Sequence, residues 1–456
     1  MKNLTLENIA KACSGTYRGP QEKKNEEVSS VFTDSRKAAA GGLFVAIKGA
    51  RTDAHDFIDS VMKAGALAAL SEKDLGEQEY PYIQVTSTLQ AVKDIAEFYL
   101  KQLQIPVVGI TGSVGKTSTK EMIAAVLSQK YKVLKTQGNF NNELGLPLTV
   151  FNLRDDDEIA VLEMGISDFG EMHRLAKIAR PDTCVITNIG LCHLEFLKSR
   201  DGILKAKTEI FDFLEKDGHV ILNGDDDKLV TVREVKGIAP VFFGIENKEG
   251  IWADEITPEG LAGISCTIHV KDRSFRTLIP IPGNHMVYNA LAGTAVGLTY
   301  GLSLEEIKRG IESLQPVSGR FHILETGKYT VIDDCYNANP VSMKASLEVL
   351  ADADTRKAAI LGDMGELGEN EVELHREVGV YAASRAVDLI ICVGKLSAFM
   401  AEAAHLAAPA KEVLHFETKE EMLEQLPKVL KQGDTVLVKA SHFMQFEKVV
   451  EVLEKM

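Results

Sequence analysis

Apolar and polar positions along the chain follow two rhythms that replace each other several times. From Thr88 to Leu103 the residues Leu89, Val92, Ile95, Ala96, Tyr99 and Leu103 recur every three or four places, the period of an amphipathic helix. Past Pro106, short unbroken apolar runs take over: "VVGIT", "EIAVLEMG", "TCVITNI" and "HVILNGDD". Each is of strand length and reads as a strand buried on both faces. Between them lie helical stretches, one starting at Lys116, then "GEMHRLAKIA" and "DGILKAKTEIFDFL", with "YKVLKT" as a further strand. Strands alternating with helices predict a parallel sheet covered on both sides. The stretch "AGISCTIHVKDRSFRTLIPIPG" alternates residue by residue instead, and predicts antiparallel strands. After "LQPVSGRFH" a second α/β series begins, with strands "YTVIDD", "KAAILGDM", "DLIICVG" and "DTVLVKAS". The first hundred residues mix short strands such as "GGLFVAIKG" with helices, starting with a short amphipathic one in "MKNLTLENIAKACSG".

A chain of 456 residues is longer than one hydrophobic core fills. The changes of pattern divide it into three α/β domains, 1–105, 106–315 and 316–456. With 51 Lys and Arg against 66 Asp and Glu, the net charge is −15. That balance argues against a general binder of nucleic acid or of membrane surfaces, so an anionic ligand must be met by local donors. The six cysteines are scattered without a C-x-x-C pair, as free thiols of a reducing compartment are. No apolar run reaches membrane length and the N-terminus lacks a leader-like apolar core, so a cytoplasmic protein without membrane insertion is expected.

The candidate chemistry starts at "VVGITGSVGKTSTKEM". The common phosphate loop, G-x-x-x-x-G-K-[ST], would place a glycine where Ile110 stands. The surroundings still suit a phosphate: a strand ending at Thr111, glycines at 112 and 115, and a helix beginning near Lys116. Backbone N–H groups and the helix N-terminus would face the anion, with Lys116 as a point charge and Thr117 as a Mg²⁺ ligand. Glu163 ends a second strand, where α/β sheets bind ligands; alone it reads equally well as a solvated strand end. His193 follows a third strand, and Lys207 lies on a helix beside Leu204, Ile210, Phe211 and Leu214. A lysine beside an apolar face ordinarily snorkels to water. A nucleotide-switched binding protein remains a competing reading of the loop.

"GITGSVGKTSTKEM", "NFNNELGLPLT", "LEMG", "TNIGLCHLEFL", "AKTEIF", "PGNHMVYNAL", "SGRF" and "DDCYNANP" stand in the order seen in the Mur ligases, ATP-dependent amide-bond-forming enzymes of peptidoglycan synthesis. The chain resembles that family over essentially its whole length, and T-G-x-x-G-K-T is the family's own loop. "YNANP" with "LGDMGELG" resembles the branch that joins D-alanyl-D-alanine to UDP-MurNAc-tripeptide. The "TDSRK" and "GGLFVAIKGARTD" segments are similar to a uridine-nucleotide-binding domain. They argue against a folylpolyglutamate synthetase, and "YNANP" argues against the preceding ligase of the series.

The resemblance implies a small N-terminal α/β domain for the UDP-sugar, a central P-loop-type ATPase domain with a parallel sheet, and a C-terminal Rossmann-like domain for nucleotide and dipeptide. It implies that Thr117 and Glu163 bind one Mg²⁺, and that Glu163, His193 and a carbamylated Lys207 bind a second. Lys116 and the amides from Thr111 through Gly112, Ser113, Val114 and Gly115 to Ser118 would hold the ATP phosphates, Asn289 would contact adenine, Arg320 the γ-phosphate and Asp334 the nucleotide. Ser35, Arg36 and the turn from Gly49 to Asp53 would meet the UDP-sugar, Asn141 and Asn142 would line the peptide channel, and Tyr336, Asn337 and Asn339 would meet substrate. An acyl phosphate is the implied intermediate, the two substrates are small molecules, and a monomer is expected. Three positions depart from the family pattern: Met286 after His285, Ala54 for a glycine, and "KASH" for K-G-S-R, which puts His442 in place of arginine.

Overall fold

The strand Val107–Thr111 runs through the core of the molecule with every residue buried. The computed structural model describes residues 1–456, the side chain of Leu194 excepted. Val107–Thr111 pairs in parallel with Ile159–Glu163 on one side and Thr183–Ile186 on the other. Across the nine-stranded central sheet the order is Arg273–Ile279, Ile264–Val270, Ile251–Pro258, Val241–Gly244, His219–Asn223, Thr183–Ile186, Val107–Thr111, Ile159–Glu163 and Val133–Lys135. The two strands expected to be antiparallel, Ile264–Val270 and Arg273–Ile279, are so, and Ile251–Pro258 joins them. The parallel registers set the C-terminal ends of the strands at Thr111, Glu163 and Ile186 side by side. In an open α/β sheet that edge is the ligand-binding edge.

The five-stranded N-terminal sheet orders Thr16–Arg18, Tyr82–Gln84, Ala68–Ser71, Leu43–Val45 and Val31–Phe32. Its helix Thr88–Leu103 opens with a Ser87 side-chain cap and seats Val92, Ile95, Ala96 and Tyr99 in a core shared with Leu146, Phe151, Leu175 and Ile178 of the central domain. Tyr99 OH donates to Leu153 O at 2.7 Å across this junction. Leu89, expected on the buried face, is instead 46% exposed. The buried stripe runs through Thr88, Ala91–Val92, Ile95–Ala96 and Tyr99–Leu100, and Leu89 lies off it.

The third sheet orders His322–Glu325, Thr330–Asp333, Thr435–Lys439, Lys357–Gly362, Leu389–Val393 and Glu412–Phe416, all parallel except the first. Its strand ends at Asp333 and Lys439 face the central domain's ligand edge across a cleft. No helix of the described residues is long and apolar enough to cross a membrane.

Candidate active site

Between Thr111 and Lys116 the chain turns from strand to helix through two glycines with left-handed φ, Gly112 at +152° and Gly115 at +82°. Gly112 packs so closely on Thr187 that a Cβ would stand 1.9 Å from Thr187 Oγ1. The turn is held from the next strand: Ser113 N donates to Asn188 O at 3.0 Å, and Val114 N to Asn188 Oδ1 at 2.9 Å. The helix Lys116–Leu127 starts at Gly115 without a side-chain cap, so its first N–H groups point into the cleft unanswered. This is the geometry in which a helix N-terminus binds phosphate.

Two lysines converge on one atom behind this turn. Lys116 Nζ donates to Gly112 O at 2.9 Å and Lys207 Nζ donates to the same oxygen at 3.0 Å. Lys207, on the helix Arg200–Thr208, is 1% exposed. The snorkelling expected of it does not occur, because that helix lies against the phosphate turn rather than at the surface. Burial pushes its amine down to about 7, and the charge of Lys116 adds to this.

Glu163 is buried at the end of its strand. Asn141 Nδ2 donates to its Oε1 at 2.8 Å, while Oε2 has no hydrogen-bond donor, the nearest cation being Lys120 Nζ at 3.9 Å. Lys120 is itself buried, with Nζ donating to Thr136 O at 2.7 Å and standing 3.0 Å from Glu121 Oε1. His193, at a left-handed φ of +52°, has Nδ1 2.8 Å from Glu366 Oε2, a close approach outside the directed hydrogen bonds. Its proximity holds the Glu366 carboxyl below the usual range.

The C-terminal domain supplies the opposite wall. Arg320 reaches across with NH2 3.4 Å from Thr117 Oγ1, and its guanidinium lies 4.0 Å over the Tyr336 ring. His442, standing where the family pattern has arginine, stacks on the same ring with centroids 5.3 Å apart. Asp334 Oδ2 accepts from Lys439 Nζ at 2.5 Å and from Ser346 Oγ at 2.7 Å. Thr119 Oγ1 donates to Asn289 Oδ1 at 2.8 Å, tying the phosphate helix to the helix His285–Thr299.

A single cavity of about 560 Å³ collects these groups. Ser113 to Thr119, Asn141, Asn142, Glu163, His193, Asn289, Arg320, Asp334, Tyr336, Asn337 and Asn339 all line it. Thr111, Gly112 and Lys207 stand behind the wall, and Ser35, Arg36, Gly49 and Asp53 lie apart in the N-terminal domain. There Arg36 is engaged by Asp34 through Nε at 2.9 Å and NH2 at 2.8 Å. Asp53 caps the turn Ala54–Phe57 and is held by Lys73 at 2.9 Å and by His55.

Family models match the chain in three consecutive pieces: the Mur ligase family catalytic domain at 27–112, the Mur ligase middle domain at 110–297, and the Mur ligase glutamate ligase domain at 319–442. A curated relative from Bacillus subtilis, a UDP-N-acetylmuramoyl-tripeptide–D-alanyl-D-alanine ligase, is 37% identical, the match covering 99% of each chain. The chain belongs to the Mur ligase family. Among solved Mur ligases, the MurF crystal structure from Acinetobacter baumannii superposes with a TM-score of 0.89 at 32% identity over 99% of both chains. The MurF ligase from Thermotoga maritima in complex with ADP gives 0.82 at 33% identity, over 93% of this chain and 97% of that one. The three-domain α/β architecture is therefore that of a Mur ligase, and the chain is an ATP-dependent peptide ligase by family.

Four groups in this Mur ligase site escaped the sequence reading: Lys120, His285, Glu366 and Lys439. Lys120 lies in the quoted loop motif and Lys439 in "KASH", but the site acids they approach, Glu163 and Asp334, are distant in sequence. His285 is buried with Nδ1 unpartnered, its ring 4.7 Å from Phe321, and burial pushes it down to about 4.

Proposed function

We propose that this Mur ligase joins D-alanyl-D-alanine to UDP-N-acetylmuramoyl-tripeptide, using ATP, by way of an acyl phosphate. The observation that carries the reading is the meeting of an uncapped phosphate turn, a buried acid and an arginine from the facing domain in one cavity. The names of full-length relatives at more than 30% identity support the choice of substrates.

In this reading the peptide carboxylate attacks the γ-phosphorus, ADP leaves, the dipeptide amine attacks the resulting carbonyl, and phosphate is released. The main barrier is the crowding of negative charge between carboxylate and triphosphate. Lys116 and the backbone from Thr111 to Ser118 offset that charge, Arg320 meets the γ-phosphate, Asn289 the adenine, and Asp334 the nucleotide from the C-terminal side. Docking of that domain over the cleft excludes water, which would otherwise hydrolyse the acyl phosphate.

The site fits Mg²⁺: Glu163 Oε2 is a hard oxygen buried without a donor, and Thr117 Oγ1 lines the same cavity. Bound there, Mg²⁺ supplies charge neutralisation to the phosphate oxygens. Glu163, His193 and a carbamylated Lys207 form the set for a second ion. The lowered pKa of the Lys207 amine suits carbamate formation, for which Nζ must give up its bond to Gly112 O. Residues 1–105 take the UDP-sugar through Ser35, Arg36 and the Gly49–Asp53 turn; 106–315 bind ATP; 316–456 bind nucleotide and, with Tyr336, Asn337 and Asn339, the incoming dipeptide. Asn141 and Asn142 line the peptide channel, and the enzyme acts as a cytoplasmic monomer.

Phosphate release measured with lysine- and diaminopimelate-containing tripeptide substrates, each with and without the dipeptide, tests the assignment and names the third residue. Release should require both co-substrates. ATP hydrolysis by the protein alone at the full rate would instead favour a nucleotide switch.

A further inference from the structure

The loop after the strand Lys357–Gly362 is built to present one side chain. Asp363 Oδ1 accepts from the N–H and the hydroxyl of buried Ser397, both at 2.7 Å. Met364 N donates to Nε2 of fully buried His375 at 2.9 Å, and Gly365 N donates to Ser441 Oγ at 2.9 Å. Three successive residues are thus pinned to three different elements of the C-terminal domain. The next residue, Glu366, is held at a left-handed φ of +60° and stands 2.8 Å from His193 Nδ1 in the central domain. His193 is in the left-handed region as well. Non-glycine residues persist in that region where their surroundings over-determine them, and such residues cluster at functional sites. Here two of them meet across the cleft, one on each domain.

The Glu366 side chain is 60% exposed, so the contact contributes little to stability. Its consequence is orientational. A carboxylate 2.8 Å from Nδ1, close without being a directed hydrogen bond, restrains the imidazole ring and leaves the other nitrogen free as a ligand. We propose that Glu366 is a positioning residue: carried in by the C-terminal domain, its carboxylate holds His193 with Nδ1 outward and Nε2 available to the cavity, so that this corner of the site is complete only when the two domains are docked. The proposal rests on the ligase reading above and adds to it a group that acts through His193 without touching the reacting atoms.

The test uses the full chain with Glu366→Ala, Glu366→Gln and Glu366→Asp, the exposed neighbour variant Glu369→Gln, and His193→Ala alone and combined with Glu366→Ala. Dipeptide-dependent phosphate release gives kcat and KM, thermal unfolding gives stability, and electron paramagnetic resonance with Mn²⁺ and no substrate gives metal affinity. Removing such an orienting partner lowers metal affinity and activity by about 10–100-fold. The expected result is that drop in kcat and in Mn²⁺ affinity for the Ala and Gln variants, with unchanged KM for ATP and unchanged melting temperature. Glu366→Asp should recover part of it, Glu369→Gln should match wild type, and the double variant should lose no more than His193→Ala. Wild-type kcat or Mn²⁺ affinity in Glu366→Ala, or additive losses in the double variant, would overturn the proposal. If wild type itself showed no dipeptide-dependent release, the ligase reading would fall, and the Mn²⁺ series would still decide the role of Glu366.

Discussion

Lys116 and Lys207 donate to the same carbonyl, Gly112 O, from 2.9 and 3.0 Å, yet they sit in different media. Lys116 opens the phosphate helix and lines the cavity, so water and any anion there can solvate its charge. Lys207 is sealed behind the turn at 1% exposure, with an amine near 7. One residue type, on one acceptor, thereby faces the cavity on one side and, on the other, is a buried amine that gives up its proton far more readily than a lysine in water.

The comparison breaks most completely at the shared acceptor. Gly112→Ala places a Cβ on Thr187 and forces the turn to shift, displacing the carbonyl from both lysines. Activity should fall at least as far as for either lysine variant, and nucleotide affinity with it; an active Gly112→Ala protein would show that the turn tolerates what its packing forbids. Next comes Lys116→Ala, for which removing a charge that acts on the transferring phosphoryl group costs about 10²–10³ in kcat. Circular dichroism should remain that of wild type, and near-wild-type turnover would sink the phosphate-turn assignment. Lys207→Ala removes a proposed direct ligand and should lose at least the 10–100-fold, roughly, that loss of an outer partner of a metal site costs. Acetate should restore part of that loss by filling the vacated carboxylate position, and should do nothing for Lys116→Ala. Full activity in Lys207→Ala would return it to the role of a structural lysine.

The two lysines also mark what a sequence discloses. The phosphate turn is legible because its signals are local: an apolar run ending at Thr111, two glycines, and G-K-T opening a helix. Ordering of the motifs conveys the family, and with it the three-domain fold. Burial of Lys207 is not legible, since "LKAKTEIF" shows a lysine on a helix and its acceptor lies 95 residues away. The same holds for the Glu366–His193 contact, which exists only once two domains face each other. Short strands such as Val241–Gly244, and the short, partly polar His322–Glu325 and Glu412–Phe416, also escape the pattern. They lie at sheet edges or junctions, where neighbours rather than periodicity create the strand.

The pH dependence of stability is the effect most specific to Lys207. In the unfolded chain its amine titrates near the ordinary 10.5, and in the folded protein near 7. Below about pH 7 both states carry the proton, so this group adds no pH dependence. Between about 7 and 10.5 the unfolded chain binds a proton that the folded protein lacks, so folded stability rises with pH. The slope is at most about 1.4 kcal/mol per pH unit. Lys207→Met has no such group. The difference between the wild-type and Lys207→Met melting temperatures should therefore be flat below pH 7 and shift in favour of wild type as pH increases towards 10.5. A difference that stays flat throughout would mean that the amine is not sealed. At pH 8, bicarbonate should raise the wild-type melting temperature further and leave Lys207→Met unchanged, because carbamate formation on the folded state alone adds stability by mass action. Equal responses of the two proteins to bicarbonate would remove the carbamate and leave Lys207 as a neutral buried amine bonded to Gly112 O.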